Sequence, residues 1–182
     1  GTDGWDDTLV VAGKNTTQRQ INDGLESIAQ LLSIKKPRDG MRVFVNSYYD
    51  GLGVGGGWFY FVSGSTETPV QGLVVAGQGG VWKRETKPFY LVEDFGCHES
   101  KDANTNATAL KACFANAKNI VATKTYSVEI LNAPMAMTSG SILTGGGTFV
   151  GTTPDTINAD GRGSMIRLSD VDNIKIYDVT LK

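Results

Sequence analysis

Between Gly40 and Lys118 the hydrophobic period of the chain changes from two to that of a helix, and this succession constrains the fold more than any single motif. From Met41 the residues alternate, Val43 and Val45 against Arg42, Phe44 and Asn46; Tyr48 and Tyr49 follow, then Gly51, Gly53, Gly55, Gly56 and Gly57. Such a run is a strand entering a bend. Trp58 to Val62, Val70 to Ala76 and Val81 to Arg84 supply three further strands, the last two separated by the turn Gly77 to Gly80. Residues 40–86 therefore read as a small antiparallel β unit with Trp58 and Trp82 in its core. Next, Tyr90 to Gly96 reads as a strand ending at a glycine, and a polar loop from Cys97 to Asn104 leads into a helix from about Asn106 to Lys118. Ala107, Leu110, Phe114 and Ala117 share one face of that helix, Cys113 stands with Leu110 and Ala117, and Asn104 or Thr105 supplies a cap.

Beyond the helix the apolar runs become short and regular. They fall at Ile120 to Ala122, Val128 to Leu131, Ile142 to Leu143, Phe149 to Val150, Met165 to Leu168, Ile174 to Ile176 and Val179 to Leu181, punctuated by Gly, Asn, Asp, Ser and Thr. Short strands with such turns suit a solenoid of stacked parallel β coils, and the preceding helix suits a polar lid over the open backbone of the first coil. The 23 glycines against 5 prolines in 182 residues fit turn-rich β structure. A formal net charge of −2 gives no reason to expect nucleic acid or an acidic membrane as partner. No run approaches the ~18 apolar residues that span a bilayer, and no basic stretch precedes an apolar one at the N-terminus, so neither a membrane segment nor a secretory signal is expected.

Residues 1–16 read as a polar arm with one short apolar run, Leu9 to Ala12. Thr17 stands three before Gln20, a capping-box spacing, and Ile21, Leu25, Ile28 and Leu32 follow as a heptad seam two repeats long, closed by Lys35, Lys36 and Pro37. One reading packs this amphipathic helix on its own domain. The sharper reading makes Ile21, Leu25, Ile28 and Leu32 an oligomer interface, assisted by the β domains because two heptads and Gly24 make a weak independent coiled coil.

Residues that carry chemistry elsewhere are sparse. Cys97 and Cys113 fit neither a redox pair nor a zinc pattern, His98 is the sole histidine, and structural thiols are expected, with no metal and no cofactor. Residues 51–56 formally satisfy GxGxxG, yet a strand follows where a phosphate site requires a helix. Tyr48 and Tyr49, if extended, point to opposite faces, so at most one joins a sugar-stacking platform. Asp155, Asp160, Asp170, Asp172 and Asp178 are the acids of the coil region; Asp170 and Asp172 share a face but lie in a turn-like segment, which favours solvated turn carboxylates over a catalytic pair. The N-x-T sequons at Asn15 and Asn106 carry no meaning without a eukaryotic secretory route.

The order of these parts resembles the N-terminal, virion-proximal region of a bacteriophage tailspike protein and the start of its pectate-lyase-like β-helix. The residues that carry the likeness are Arg42, Val43 through Tyr48, Tyr49, the glycine stretch, the aromatic strand, the closing Gly79, Gly80, Val81, Trp82, Lys83, Arg84, and then Val92, Glu93, Asp94, Phe95, Gly96 before an alanine-rich helix. It covers about residues 40–182 and is most specific over 79–118. Glu99 to Asn106 departs from the family, which often places a glycine and paired aspartates there. The expected fold is mainly β: an N-terminal arm and helix (1–39), a small antiparallel β domain (40–88), then a strand, a capping helix and the first coils of a right-handed parallel β-helix (89–182). The resemblance implies a homotrimer in the virion tail, docked on a tail or baseplate protein, whose distal part binds and cleaves bacterial surface polysaccharide. The chain reads as a stretch that stops before the catalytic part, so no catalytic residue is assigned to it. The alternative is the N-terminal part of a pectate-lyase-like polysaccharide lyase or hydrolase carrying a carbohydrate-binding β module.

Overall fold

The alternation around Val43 builds a strand because one row of its side chains finds an apolar partner row. A computed structural model describes residues 24–129, 135–152, 166–168 and 170–182, and these divide into two compact units between Thr86 and Lys87. In the first unit β1 (Leu25–Ser27), β2 (Arg42–Ser47), β3 (Gly55–Ser63), β4 (Val74–Gly77) and β5 (Gly80–Arg84) form one sheet in the order β1-β2-β3-β5-β4. β1 runs parallel to β2, and the other pairs are antiparallel. Val43 lies opposite Phe59 and Phe61 opposite Trp82, so the inward row is apolar across three strands. Leu25, Ile28, Leu31, Ile34, Val43, Val45, Phe59, Phe61 and Trp82 make one buried cluster.

Two features fix the bend that the glycines announced. A Cβ on Gly56 would stand 2.1 Å from the Val45 carbonyl oxygen, so only glycine lets β3 cross β2 there. The buried Arg84 guanidinium donates to the carbonyls of Gly55 (2.9 Å), Gly56 and Gly72 and lies 4.7 Å from the Phe59 ring centroid. A cation on the core side of the sheet is thus held by backbone oxygens.

Two expectations are overturned in this unit. No α-helix runs through residues 24–33. Gly24 has φ +95°, β1 follows, and Ile28–Ser33 is a 3-10 helix. Ile28, Leu31 and Ile34 recur every three residues, the period of a 3-10 turn, and all are buried, while Leu32 is 58% exposed. Leu25 pairs opposite Val45 in the sheet, and Ile21 lies outside the described residues. The sheet therefore starts at Leu25 and not at residue 40. Trp58 is likewise no core residue: it belongs to the outward row of β3 and is 45% exposed, whereas Trp82 is fully buried.

In the second unit β6 (Tyr90–Leu91) leads into a 3-10 helix, Val92–Phe95, in place of a continuous strand, and Gly96 closes that helix at φ +90°. Asp94 accepts from the Leu91 N–H at 3.0 Å and from Lys87 Nζ at 2.7 Å, which caps the turn. Helix α1 (Ala103–Asn116) is capped by Asp102, whose Oδ1 accepts from the Thr105 N–H at 3.0 Å; the cap falls two to three residues earlier than the sequence suggests. The buried Asn106 accepts from the His98 N–H at 2.8 Å and donates to the Ser127 carbonyl at 2.9 Å, tying the first turn of the helix to its surroundings. Leu110, Cys113 and Phe114 on α1, and Ala117 just after it, are each at most 1% exposed.

After α1 come β7 (Asn119–Val121), β8 (Thr125–Val128), β9 (Met135–Ala136), β10 (Ile142–Thr144), β11 (Thr148–Gly151), β12 (Ile166–Arg167), β13 (Lys175–Ile176) and β14 (Thr180–Leu181). Among the described residues they pair only in parallel, in three sheets ordered β13-β10-β7-β6, β14-β11-β8 and β12-β9. Residues in register stack into interior ladders: Leu143 stands opposite Ile120, and Phe149 stacks on Tyr126 at 5.5 Å between ring centroids. A Cβ at Gly147 would meet the Ala122 carbonyl at 2.6 Å, so the corner between β10 and β11 requires glycine.

Candidate functional site

The outward face of the first unit's sheet gathers the exposed aromatics. Phe44 on β2 lies opposite Trp58 on β3, and Tyr60 on β3 lies opposite both Arg42 on β2 and Lys83 on β5. The Phe44 and Trp58 rings meet edge to face at 5.3 Å, with Phe44 37% exposed. The Arg42 guanidinium lies 4.9 Å from the Trp58 centroid and its Nε donates to Glu85 at 2.6 Å; that hydrogen bond raises the basicity of Arg42. Lys83 reaches Glu67 at 2.6 Å, with the same consequence. The face is thus aromatic at its centre and flanked by two ion pairs and by the exposed Glu26 of β1, a composition suited to contact rather than to proton transfer. An open groove of about 420 Å³ lies elsewhere on this unit, between Leu32 to Lys35 and Ala76 to Gln78.

The second unit keeps Glu93, Asp94 and both thiols inside. Tyr126 donates to Glu93 Oε1 at 2.8 Å, and Glu93 Oε2 has no hydrogen-bond partner among the described residues. Burial, then the Glu93 charge, pushes the Tyr126 hydroxyl and the Cys97 thiol well up; burial does the same for Cys113, aided by Asp94 and Glu93. Neutral, enclosed thiols are poor nucleophiles. The His98 ring sits 2.8 Å from the Ser100 hydroxyl in the loop before α1. Among the described residues no three of His, Cys, Asp and Glu gather in a way that holds a metal ion.

The described acids beyond β11 form no enclosed pair. Asp170, Asp172 and Asp178 are exposed, and Asp170 and Asp178 adopt positive φ of 56° and 53° at turns; Asp155 and Asp160 lie outside the described residues. Tyr48 and Tyr49 meet edge to face at 4.8 Å and are half-buried, Tyr48 against the core cluster. Of the interface residues inferred from the heptad seam, Leu25 and Ile28 are in the core and Leu32 is exposed. Sequence reasoning missed the Phe44–Trp58 face and the Glu93–Tyr126 pair. The first had a signal, since Phe44 occupies the Arg42/Asn46 row of its strand.

Comparison with known proteins agrees with this arrangement. Residues 24–87, which include the whole five-stranded sheet, match the family described as phage tail protein small four-stranded β-sheet domain. The Mu-like prophage FluMu defective tail fiber protein of Haemophilus influenzae is 36% identical over 74 residues, 39% of this chain and 12% of that protein. Among solved structures, the enzymatically active domain of bacteriophage CBA120 tailspike protein 4 superposes with a TM-score of 0.57 at 20% identity, covering 87% of this chain and 20% of that one. The Acinetobacter baumannii phage AM24 tailspike protein gives 0.57 at 16% identity, over 99% and 36%. A glycan biofilm-modifying enzyme of Pantoea stewartii, with a bacteriophage tailspike-like parallel β-helix fold, gives 0.57 at 20%, over 71% and 22%. The chain thus spans about an eighth of the curated relative and little more than a third of the longest-matched of these three structures. Residues 24–87 thus carry a phage tail sheet domain, and sheet domain, relative and fold together make the chain similar to the N-terminal region of a phage tailspike, which places it in the virion tail.

Proposed function

We propose that this chain is the virion-attachment, trimerisation and connector region of a tailspike whose distal part binds and cleaves host surface polysaccharide. The observation that carries the reading is the order of its parts: a phage-tail sheet domain over residues 24–87 followed directly by strands that pair only in parallel among the described residues. In this reading β6 to β14 are the first coils of a right-handed parallel β-helix, residues 87–182 are its opening domain, and α1 is the lid that keeps the first coil from pairing with other chains. The sheet domain docks on a tail or baseplate protein, and depolymerisation, by hydrolysis or by elimination, is the work of the distal part. Likeness to the Pantoea enzyme favours a second reading, the N-terminal part of a polysaccharide lyase or hydrolase with a carbohydrate-binding β module.

The test is co-sedimentation of the tagged 182-residue chain with particles of its own phage that lack the spike. Saturable binding, competed by untagged chain, is expected. Failure to bind such particles, with the chain shown folded by circular dichroism, would remove virion attachment and leave the second reading.

A further inference from the structure

We infer that the groove between the 3-10 helix Ile28–Ser33 and β4 receives an extended acidic segment of the tail or baseplate protein, added as a further strand along the edge of the sheet. The inference rests on the attachment reading above and gives that attachment a surface and a chemistry. The two edges of the sheet differ. At β1 the Glu26 N–H donates to Gln30 Oε1 at 2.8 Å, so that edge is closed by its own segment. At β4 the Arg84 N–H donates to the Leu73 carbonyl in the ladder that pairs Val75 with Trp82 and Gly77 with Gly80. Alternation along that ladder turns the N–H and C=O of Val74 and Ala76 away from β5. Val74 exchanges both of its bonds with Val70, at 2.8 and 2.9 Å. Ala76 has no such partner among the described residues, and it is exposed and lines the groove. Behind it, a Cβ at Gly77 would stand 3.0 Å from Trp82 Nε1, a buried donor that also lacks a partner among the described residues. Leu32, 58% exposed, forms the opposite wall. An open strand edge beside an apolar wall suits a peptide, whose main chain bonds the edge while alternate side chains meet the wall.

Charge selects the kind of segment. Lys35 lines the groove, the Lys36 N–H donates to Gln78 Oε1 at 3.0 Å beside it, and Arg38 follows. None of these three cations is in an ion pair among the described residues. Asp39, the carboxylate of that stretch, accepts from the Ser63 N–H at 2.9 Å, and the other wall has no acid between Thr68 and Arg84. Glu67 is held by Lys83 at 2.6 Å, and Glu26 lies on β1 at the far edge of the sheet. Three cations against one carboxylate call for aspartate or glutamate in the incoming strand, with small apolar residues between them for the Leu32 wall. An acidic polysaccharide would meet the same cations but would set hydroxyl groups against Leu32, and it has no strand period to match the edge.

The experiment is quantitative co-sedimentation of the tagged full chain and its variants with particles of its own phage that lack the spike. Ala76→Pro removes the edge N–H and is expected to raise the dissociation constant ~10-fold or more. Lys35→Glu/Lys36→Glu, at two exposed positions, is expected to do the same, and its deficit relative to wild type is expected to shrink as salt is added. The charge variant serves if Ala76→Pro fails to fold, and an unchanged far-ultraviolet spectrum shows that each variant is intact. Folded groove variants that bind as wild type does overturn this surface and leave virion attachment standing. Wild type that does not bind the particles removes both. Loss of binding in Phe44→Ser with the groove variants unaffected moves the contact to the outward face of the sheet and overturns the proposal. Competition by polygalacturonate, with Ala76→Pro behaving as wild type, reassigns the groove to an acidic polysaccharide.

Discussion

Glu93 shows how one hydroxyl holds a buried charge in place. Among the described residues its carboxylate accepts one hydrogen bond, from Tyr126, and is 5% exposed. Tyr126→Phe leaves both oxygens without a donor and is expected to destabilise the second unit by about 2–4 kcal/mol. Replacing both partners, Glu93→Leu with Tyr126→Phe, should recover most of that loss, because no uncompensated charge remains. Urea denaturation followed by circular dichroism decides the matter; a single-variant cost below about 0.5 kcal/mol would mean that the carboxylate finds another donor. This pair was not legible in the sequence, since Glu93 and Tyr126 stand 33 positions apart and meet only in the folded unit. Trp58 was misread for a local reason. Both rows of β3 are aromatic, Phe59 and Phe61 on one side and Trp58 and Tyr60 on the other, so a period of two shows that faces exist without telling which is buried. The neighbouring strand holds the answer: Phe59 lies opposite Val43, and Trp58 falls in the row of Arg42.

The elements themselves were legible wherever period and punctuation agreed. β2, β3 and β5 follow from alternation flanked by glycine, and α1 from its apolar face and polar approach. The segment after Gly24 contained two periods at once, a 3.5-residue row through Leu25, Ile28 and Leu32 and a three-residue row through Ile28, Leu31 and Ile34, and burial on the sheet selects the second. The cap of α1 was placed late because Asn104 and Thr105 are themselves good cap residues, and only the structure shows Asp102 receiving the Thr105 N–H and hydroxyl. Those hydrogen bonds hold the Asp102 carboxyl below its ordinary value. A lowered folded-state pKa contributes stability that is full above the ordinary carboxylate range and is lost as pH falls through the lowered value. Asp102→Ala should therefore melt below wild type at about pH 7, and the gap should close by about pH 2. Thermal melts on the far-ultraviolet helix signal read it, and a gap of constant size at both pH values would show that the ionised carboxylate is not what caps the helix.

At the scale of the whole chain, composition supplies separate reporters for the two units. All three tryptophans, Trp5, Trp58 and Trp82, precede Thr86, while α1, the one α-helix among the described residues, lies after it together with Cys97, Cys113 and Tyr126. In the folded second unit burial keeps those thiols and that phenol protonated beyond their ordinary range. Once the pH passes the ordinary thiol value, the unfolded chain releases protons that the folded unit retains. Stability then falls by up to about 1.4 kcal/mol per pH unit for each such group. The first unit has Tyr48 raised in the same way, so its decline begins only above the ordinary tyrosine value. Between about pH 8.5 and pH 10, urea midpoints read by helix signal should drop while those read by tryptophan fluorescence hold. Replacing Cys113 by Ala should shallow the alkaline slope of the helix signal and leave the tryptophan transition unchanged. Midpoints that fall together would show the two units unfolding as one, and the sheet domain would then draw its stability from the parallel unit rather than from its own Phe59, Phe61 and Trp82 core.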